Sequence, residues 1–173
     1  MSQSQKTLGV ITNLPDEVFQ RDVIEGARQT AEQRGYAVRV LTLTEMPRDF
    51  DALLQAVPAL NGALVVANIL SDAQLATLHQ SGLALSLVSH HVPSLPVPGV
   101  VSNNRQGITM LMQHLLVDCE RTRPAFIRGD MHQNDAVQRA AAIEQEMMRY
   151  HLRLLPENII DGEFIPEIAS ERF

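Results

Sequence analysis

Residues 62–68 read GALVVAN, an apolar run that turns polar only at its last position. A strand with one face in water alternates apolar and polar side chains, whereas a strand covered on both faces reads as a continuous apolar run. The stretch is therefore predicted to be an inner strand of a parallel sheet flanked by helices. Its surroundings fit that reading. TLGVIT at 7–12, YAVRVLTL at 36–43 and LALSLVS at 83–89 are short and rich in β-branched or aliphatic residues. Between them the apolar period lengthens to that of a helix. From Glu17 to Gly35, the residues Phe19, Val23, Ala27 and Ala31 recur at four-residue spacing, and Gly35 is suited to end a helix. A second helix is predicted over 50–60, and a third is capped by Ser71 with Leu75 and Leu78 inward. Four successive strand–helix units predict an α/β fold with a doubly wound parallel sheet.

Downstream the pattern thins. HHVPSLPVPG at 90–99 carries three prolines and is predicted as loop. A short strand, VVS at 100–102, leads into a helix over 104–118. PAFIRG at 124–129 opens a new unit, with a helix over 135–150 whose apolar residues include Val137, Ala141, Met147 and Met148. Only NII, Phe164 and a few further residues follow. One and a half strand–helix units cover a sheet poorly, so residues 104–173 are expected to form a second, incomplete lobe beside a first lobe at 1–103.

Composition narrows the function. The 173 residues are 45% hydrophobic, enough for a packed core, and 14 Lys and Arg against 20 Asp and Glu give a net charge of −6. No basic run supplies the footprint of nucleic-acid binding. The polar opening MSQSQK runs directly into the first strand, without a signal-peptide core or a membrane-spanning run, so the expected compartment is the cytoplasm and no membrane partner is expected. The single cysteine, Cys119, excludes an intrachain disulfide and a multi-cysteine zinc site. No phosphate-binding glycine loop, dinucleotide fingerprint, G-x-S-x-G elbow or H-E-x-x-H helix is present, so neither an enzyme nor a cofactor is indicated.

Several segments, taken in order, resemble one family. TLGVIT, DVIEGARQTAEQRGYAVRVL, NGALVVA, VVSNNRQG with MLMQHLL, RPAFIRGD, DAVQRAAAIEQEMMRYHLRLLPENIIDGEF and ASERF together are similar to the effector-binding domain of LacI/GalR-type transcription regulators, relatives of the periplasmic sugar-binding proteins. The resemblance implies a two-lobed Venus-flytrap domain, with residues to about 103 making most of the first lobe and the rest beginning a truncated second one; the late segment that completes the first lobe in the family is lacking. It also implies a DNA-binding headpiece preceding the first strand, joined by a polar linker of the SQSQKT kind, and a homodimer built partly from first-lobe helices. Leu53, Leu54, Leu75 and Leu78 are candidates for that interface or for the core.

Ligands of open parallel sheets bind beyond the carboxyl ends of the strands, which makes the following loops the candidate site. Asn13, Asp16 and Phe19 follow the first strand, Asn68 the third and His90 the fourth. Polar groups there suit ligand hydroxyls and a ring suits the flat face of a sugar or base. Equally, Asp16 suits a helix cap and Phe19 the core. His90 and His91 lack further ligands at metal spacing, and no metal is expected. Asn103 stands where the family usually carries an acidic residue, and also suits a helix cap. The resemblance assigns a ligand-contacting arginine to Arg139, whose planar fork suits paired oxygens, against the alternative of an i−4 pair with Asp135. It assigns a ligand-stacking ring to Phe164. The function expected is sensing of a small metabolite, sugar-like or nucleoside-like, held between lobes and controlling DNA binding by a headpiece outside these residues. The alternative is a sensor coupled to a C-terminal cyclase or histidine kinase.

Overall fold

The computed structural model describes residues 6–46 and 48–173. The polar opening at 1–5, most of the expected linker, lies outside them. The chain divides between Val101 and Ser102 into two compact units, where the sequence reading placed its boundary after residue 103.

In the first unit five strands form one parallel sheet in the order β2-β1-β3-β4-β5, with β1 Thr7–Thr12, β2 Ala37–Thr42, β3 Gly62–Val66, β4 Leu85–Val88 and β5 Gly99–Val100. Helices α1 Val18–Gln33, α2 Arg48–Ala56 and α3 Asp72–Gln80 make the crossovers. β3 is an inner strand buried at four of its five positions, as its apolar run predicts. Ala63 and Val65 enter the larger core cluster, with Ile11, Leu53, Leu75, Leu78 and Leu87. Val66 turns to the opposite face and meets Val10 and Ile24 of α1. Leu53, Leu75 and Leu78 are thus core residues, while Leu54 is half-buried at the edge of the cluster.

α1 is rotated relative to its expected face. Its buried positions are Gln20, Ile24 and Ala31, and Phe19 is exposed. Four residues advance a helix by slightly more than one turn, so a strict four-residue series drifts around the axis and its first member leaves the buried face. The predicted second helix is likewise shorter: α2 ends at Ala56 and Val57–Ala59 continues as one 3₁₀ turn, because Pro58 removes a backbone donor.

The second unit holds a two-stranded parallel sheet, β6 Phe126–Arg128 with β7 Ile159–Asp161, and helices α4 Asn104–Gln113, α5 Asn134–Arg149 and α6 Pro166–Arg172. A π-helical turn, His114–Asp118, extends α4. Met112, Ile143 and Met147 form its small core with Phe126 and Ile108 packed against them. Of the apolar residues named on α5, Met147 is buried, whereas Val137, Ala141 and Met148 are exposed; Ala136, Ala142 and Ile143 complete the buried face.

Candidate functional site

In the first unit, the loop after β1 is organised by a residue the sequence reading passed over. Gln20, in the first turn of α1, is buried; its Oε1 accepts from the Thr12 hydroxyl and from the Leu14 N–H at 3.4 Å, and its Nε2 donates to Asn13 Oδ1 at 3.0 Å. The carbonyl of Asn13 is therefore engaged within the loop. The helix cap expected of Asp16 falls to Glu17, whose carboxylate accepts from the N–H groups of Phe19 and Gln20, both at 3.0 Å. Asp16 and Phe19 are exposed beside Leu14 and Val18.

The ends of β3 and β4 share a backbone device. Ala67 and Ser89, each directly after its strand, have φ of 59° and 55°, left-handed values that a side chain adopts at a cost of about 1–3 kcal/mol. Each turns the chain out of the sheet, and Asn68 and His90 follow. Asn68 is half-buried. His90 is only 4% exposed, its Nε2 is 3.8 Å from Asp72 Oδ1 at the start of α3, and its Nδ1 has no hydrogen-bond partner among the described residues.

Burial pushes the His90 pKa below its ordinary 6.5; Asp72 opposes that effect and His91 reinforces it. The unfolded chain thus takes up this proton at a higher pH than the folded one. The stability held in neutral His90 is fully present above 6.5 and is lost as pH falls from there through the lowered folded value. Urea unfolding between pH 7.5 and 5.5 is expected to show this loss, and His90→Gln is expected to flatten that part of the profile. An unchanged slope in the variant assigns the pH dependence to other groups.

The second unit brings Arg139 and Phe164 together. The Arg139 guanidinium carbon lies 5.9 Å from the centre of the Phe164 ring, within cation–π range. Phe164 reaches that place through a strained turn: Glu163 and Phe164 have φ of 53° and 63°, and the Ile165 N–H closes the turn on Gly162 O at 2.8 Å. Arg172 of α6 ties the turn down, donating to Asp161 O at 2.8 Å and pairing with Glu163 at 3.0 Å. The tip of the ring sits over the α-carbon of Gly129, where any Cβ would overlap it.

The RGD tripeptide at 128–130 is accounted for by this local architecture. Arg128 pairs with Asp161 across β6 and β7, Gly129 admits the ring, and Asp130 makes the turn into α5 by accepting from the His132 N–H at 2.9 Å. The Arg128 partner holds the Asp161 carboxyl below the usual carboxylate range.

Asn103 takes the capping option: its Oδ1 accepts from the Gln106 N–H at 3.2 Å and its side chain is exposed. Its neighbour Asn104 is buried and faces α5. Asn104 Oδ1 accepts from Arg139 Nε at 2.7 Å, and Asn104 Nδ2 donates to Asp135 Oδ1 at 2.6 Å and Gln138 Oε1 at 3.0 Å. The expected i−4 alternative for Arg139, a pair with Asp135, is not formed, since each of the two side chains bonds Asn104 instead. What results is a half-buried guanidinium held by one edge, with a ring beside it. Such a group suits a ligand offering two neighbouring oxygens.

Among the described residues no helix is long and apolar enough to cross a membrane, and no group of three His, Cys, Asp or Glu side chains is placed to hold a metal ion.

The architecture has counterparts of low sequence identity among solved structures. A candidate LacI transcriptional regulator of Bacillus cereus subsp. cytotoxis NVH 391-98 superposes with a TM-score of 0.82 at 21% identity, over 98% of this chain and 64% of its own. A sugar-binding transcriptional regulator of the LacI family from Escherichia coli, solved with phosphate, gives 0.77 at 16%, over 98% and 65%. A candidate ribose operon repressor from Burkholderia thailandensis gives 0.78 at 19%, over 92% and 61%. No family model and no curated protein matches the sequence. The chain thus has the periplasmic-binding-protein-like α/β fold found in LacI-family transcriptional regulators. It spans less than two thirds of the length of these three proteins.

Proposed function

We propose that the chain is the ligand-sensing part of a LacI-type transcription regulator and performs no catalysis of its own. It binds a small metabolite with adjacent oxygens, of the sugar or nucleoside class, and its occupancy controls DNA binding by a headpiece outside these residues. The observation that carries this reading is the Arg139–Phe164 pair, a charged fork and a ring assembled at one place in a fold shared with sugar-binding regulators. The strand-end loops bearing Asn13, Asp16, Phe19, Asn68 and His90 are the candidate ligand surface of the first unit. The same reading makes the protein a cytoplasmic homodimer, with Leu54 of α2 a candidate contact. The net charge of −6 supports assigning DNA contact to another segment.

The test is thermal unfolding of the chain against D-ribose, D-glucose, D-fructose, adenosine and inorganic phosphate. A ligand at a hundred times its Kd stabilises the folded state by about 2.7 kcal/mol, a shift of several degrees. Arg139→Gln leaves Asn104 a donor but removes the charge and the fork, so it is expected to abolish the shift while the ligand-free Tm stays within about 2 °C. A shift that survives the substitution removes Arg139 from the site.

A further inference from the structure

On a single helix, Asp135 and Arg139 stand at i and i+4, the spacing at which opposite charges pair. They do not pair here. Asn104, from the neighbouring α4, stands between them, its amide NH₂ on the Asp135 carboxylate at 2.6 Å and its carbonyl on Arg139 Nε at 2.7 Å. The orientation of the amide is set by chemistry, because the reverse would face NH₂ against a guanidinium and oxygen against a carboxylate. Asn104 is 6% exposed, so water does not substitute for these bonds. No other side chain of this size offers one acceptor toward an arginine together with two donors, the second of which reaches Gln138 at 3.0 Å.

We propose that Asn104 is the positioning residue of the binding site: it intercepts the Asp135–Arg139 ion pair, so that the guanidinium is held by Nε and its two terminal amino groups remain for paired oxygens of the ligand. This rests on the proposed role of Arg139. The ligand class it selects is one with two oxygens set side by side, as in a cis-diol, a carboxylate or a phosphate, which match the end-on fork. Direct contact with Asp135 would occupy the fork and cancel its charge. Recognition by the second unit therefore depends on a neutral residue that touches no ligand.

The experiment uses the 173-residue chain with D-ribose and inorganic phosphate as probes, titrated calorimetrically, and the arginine Nε–H region of the ¹⁵N–¹H spectrum as a ligand-free readout. Asn104→Ala is expected to weaken whichever probe binds by tenfold or more. Asp135→Asn added to it is expected to recover at least threefold, since the carboxylate that captures Arg139 is gone, and Asp135→Asn alone is expected to stay within twofold of the parent. A merely structural role for Asn104 gives no such recovery, and that result overturns the proposal, as does an Asn104→Ala chain that binds like the parent. Should Asn104→Ala fail to fold, Asn104→Asp keeps the shape but pairs Arg139 itself, and the same tenfold loss is expected. If neither probe binds the parent chain, the sensing reading fails on those ligands while the spectrum still decides the positioning. A slowly exchanging Arg139 Nε–H that is lost in Asn104→Ala and unaffected by Asp135→Asn supports the proposal, and one indifferent to residue 104 overturns it.

Discussion

Leu75→Ala is expected to destabilise the first unit by about 3 kcal/mol, within the range measured for leucine truncation at buried sites. The reason lies in how α3 is set on the sheet. Ser71 and Gln74 form a reciprocal capping box, the Ser71 hydroxyl accepting from the Gln74 N–H at 3.3 Å and the Gln74 carbonyl from the Ser71 N–H at 2.9 Å. With the first turn fixed, Leu75 and Leu78 fall one above the other on the face toward the core, both at 0% exposure. Removing three methylene-sized carbons there leaves a void that the flanking strand residues, anchored by their ladder bonds, close only in part. Leu54→Ala, at the half-buried edge of the same cluster, is expected to cost less than half as much. Urea unfolding of both variants decides the matter, and equal costs would mean that α3 packs more loosely than its burial indicates.

How much of this was legible in the sequence depended on the range of the interaction. The inner strand β3 announced itself because burial on both faces writes a continuous apolar run into adjacent residues. The cap at Ser71 was equally local. The loop predicted at 90–99 followed from proline chemistry alone, although its last residue, Gly99, joins β5, which ends at Val100 rather than 102. Side-chain facing on α1 was less secure, since a four-residue series drifts by about 40° at each step, which carries Phe19 off the buried face while Ile24, outside the series, lies on it. The candidate site was legible only in its end members. Arg139 and Phe164 were singled out by resemblance, and they do lie together, but the residues that place them were not found. Asn104 bonds partners 31 to 35 positions away, and nothing in SNNRQG distinguishes it from Asn103 except which of the two faces α5. Gly129 sat in an RGD tripeptide that carried no structural signal. Gln20 was not singled out at all. In each case the missing information was a tertiary contact. A buried polar residue or a glycine under a ring is the trace such a contact leaves, visible once the fold is known.

Gly129→Ala is the substitution that separates the site from the stability of its unit. A methyl at this position would overlap the tip of the Phe164 ring, and the ring, as the far end of a side chain on an exposed turn, is the partner able to move. The backbone at Gly129 makes no demand for glycine through its φ, which is not in the left-handed region. The unfolding free energy is therefore expected to change by no more than about 1 kcal/mol, because the alanine restricts the unfolded chain while the displaced ring loses a modest contact. The consequence for the site is much larger. Phe164 must leave Gly129, and with it goes the registration of the ring against the Arg139 guanidinium, now 5.9 Å from its centre. Ring-current shifts on the Arg139 δ-methylene protons report that displacement without any ligand, and they are expected to collapse toward free-chain values in Gly129→Ala. Probe affinity should fall with them by tenfold or more, since a ring moved by a methyl group no longer bounds the same space. Phe164→Leu supplies the control: it removes the ring and so the shift, but fits beneath a glycine, and Gly129→Ala introduced on that background should have almost no further effect on binding. Additive losses in the double variant would show that Gly129 acts on the site by a route other than Phe164.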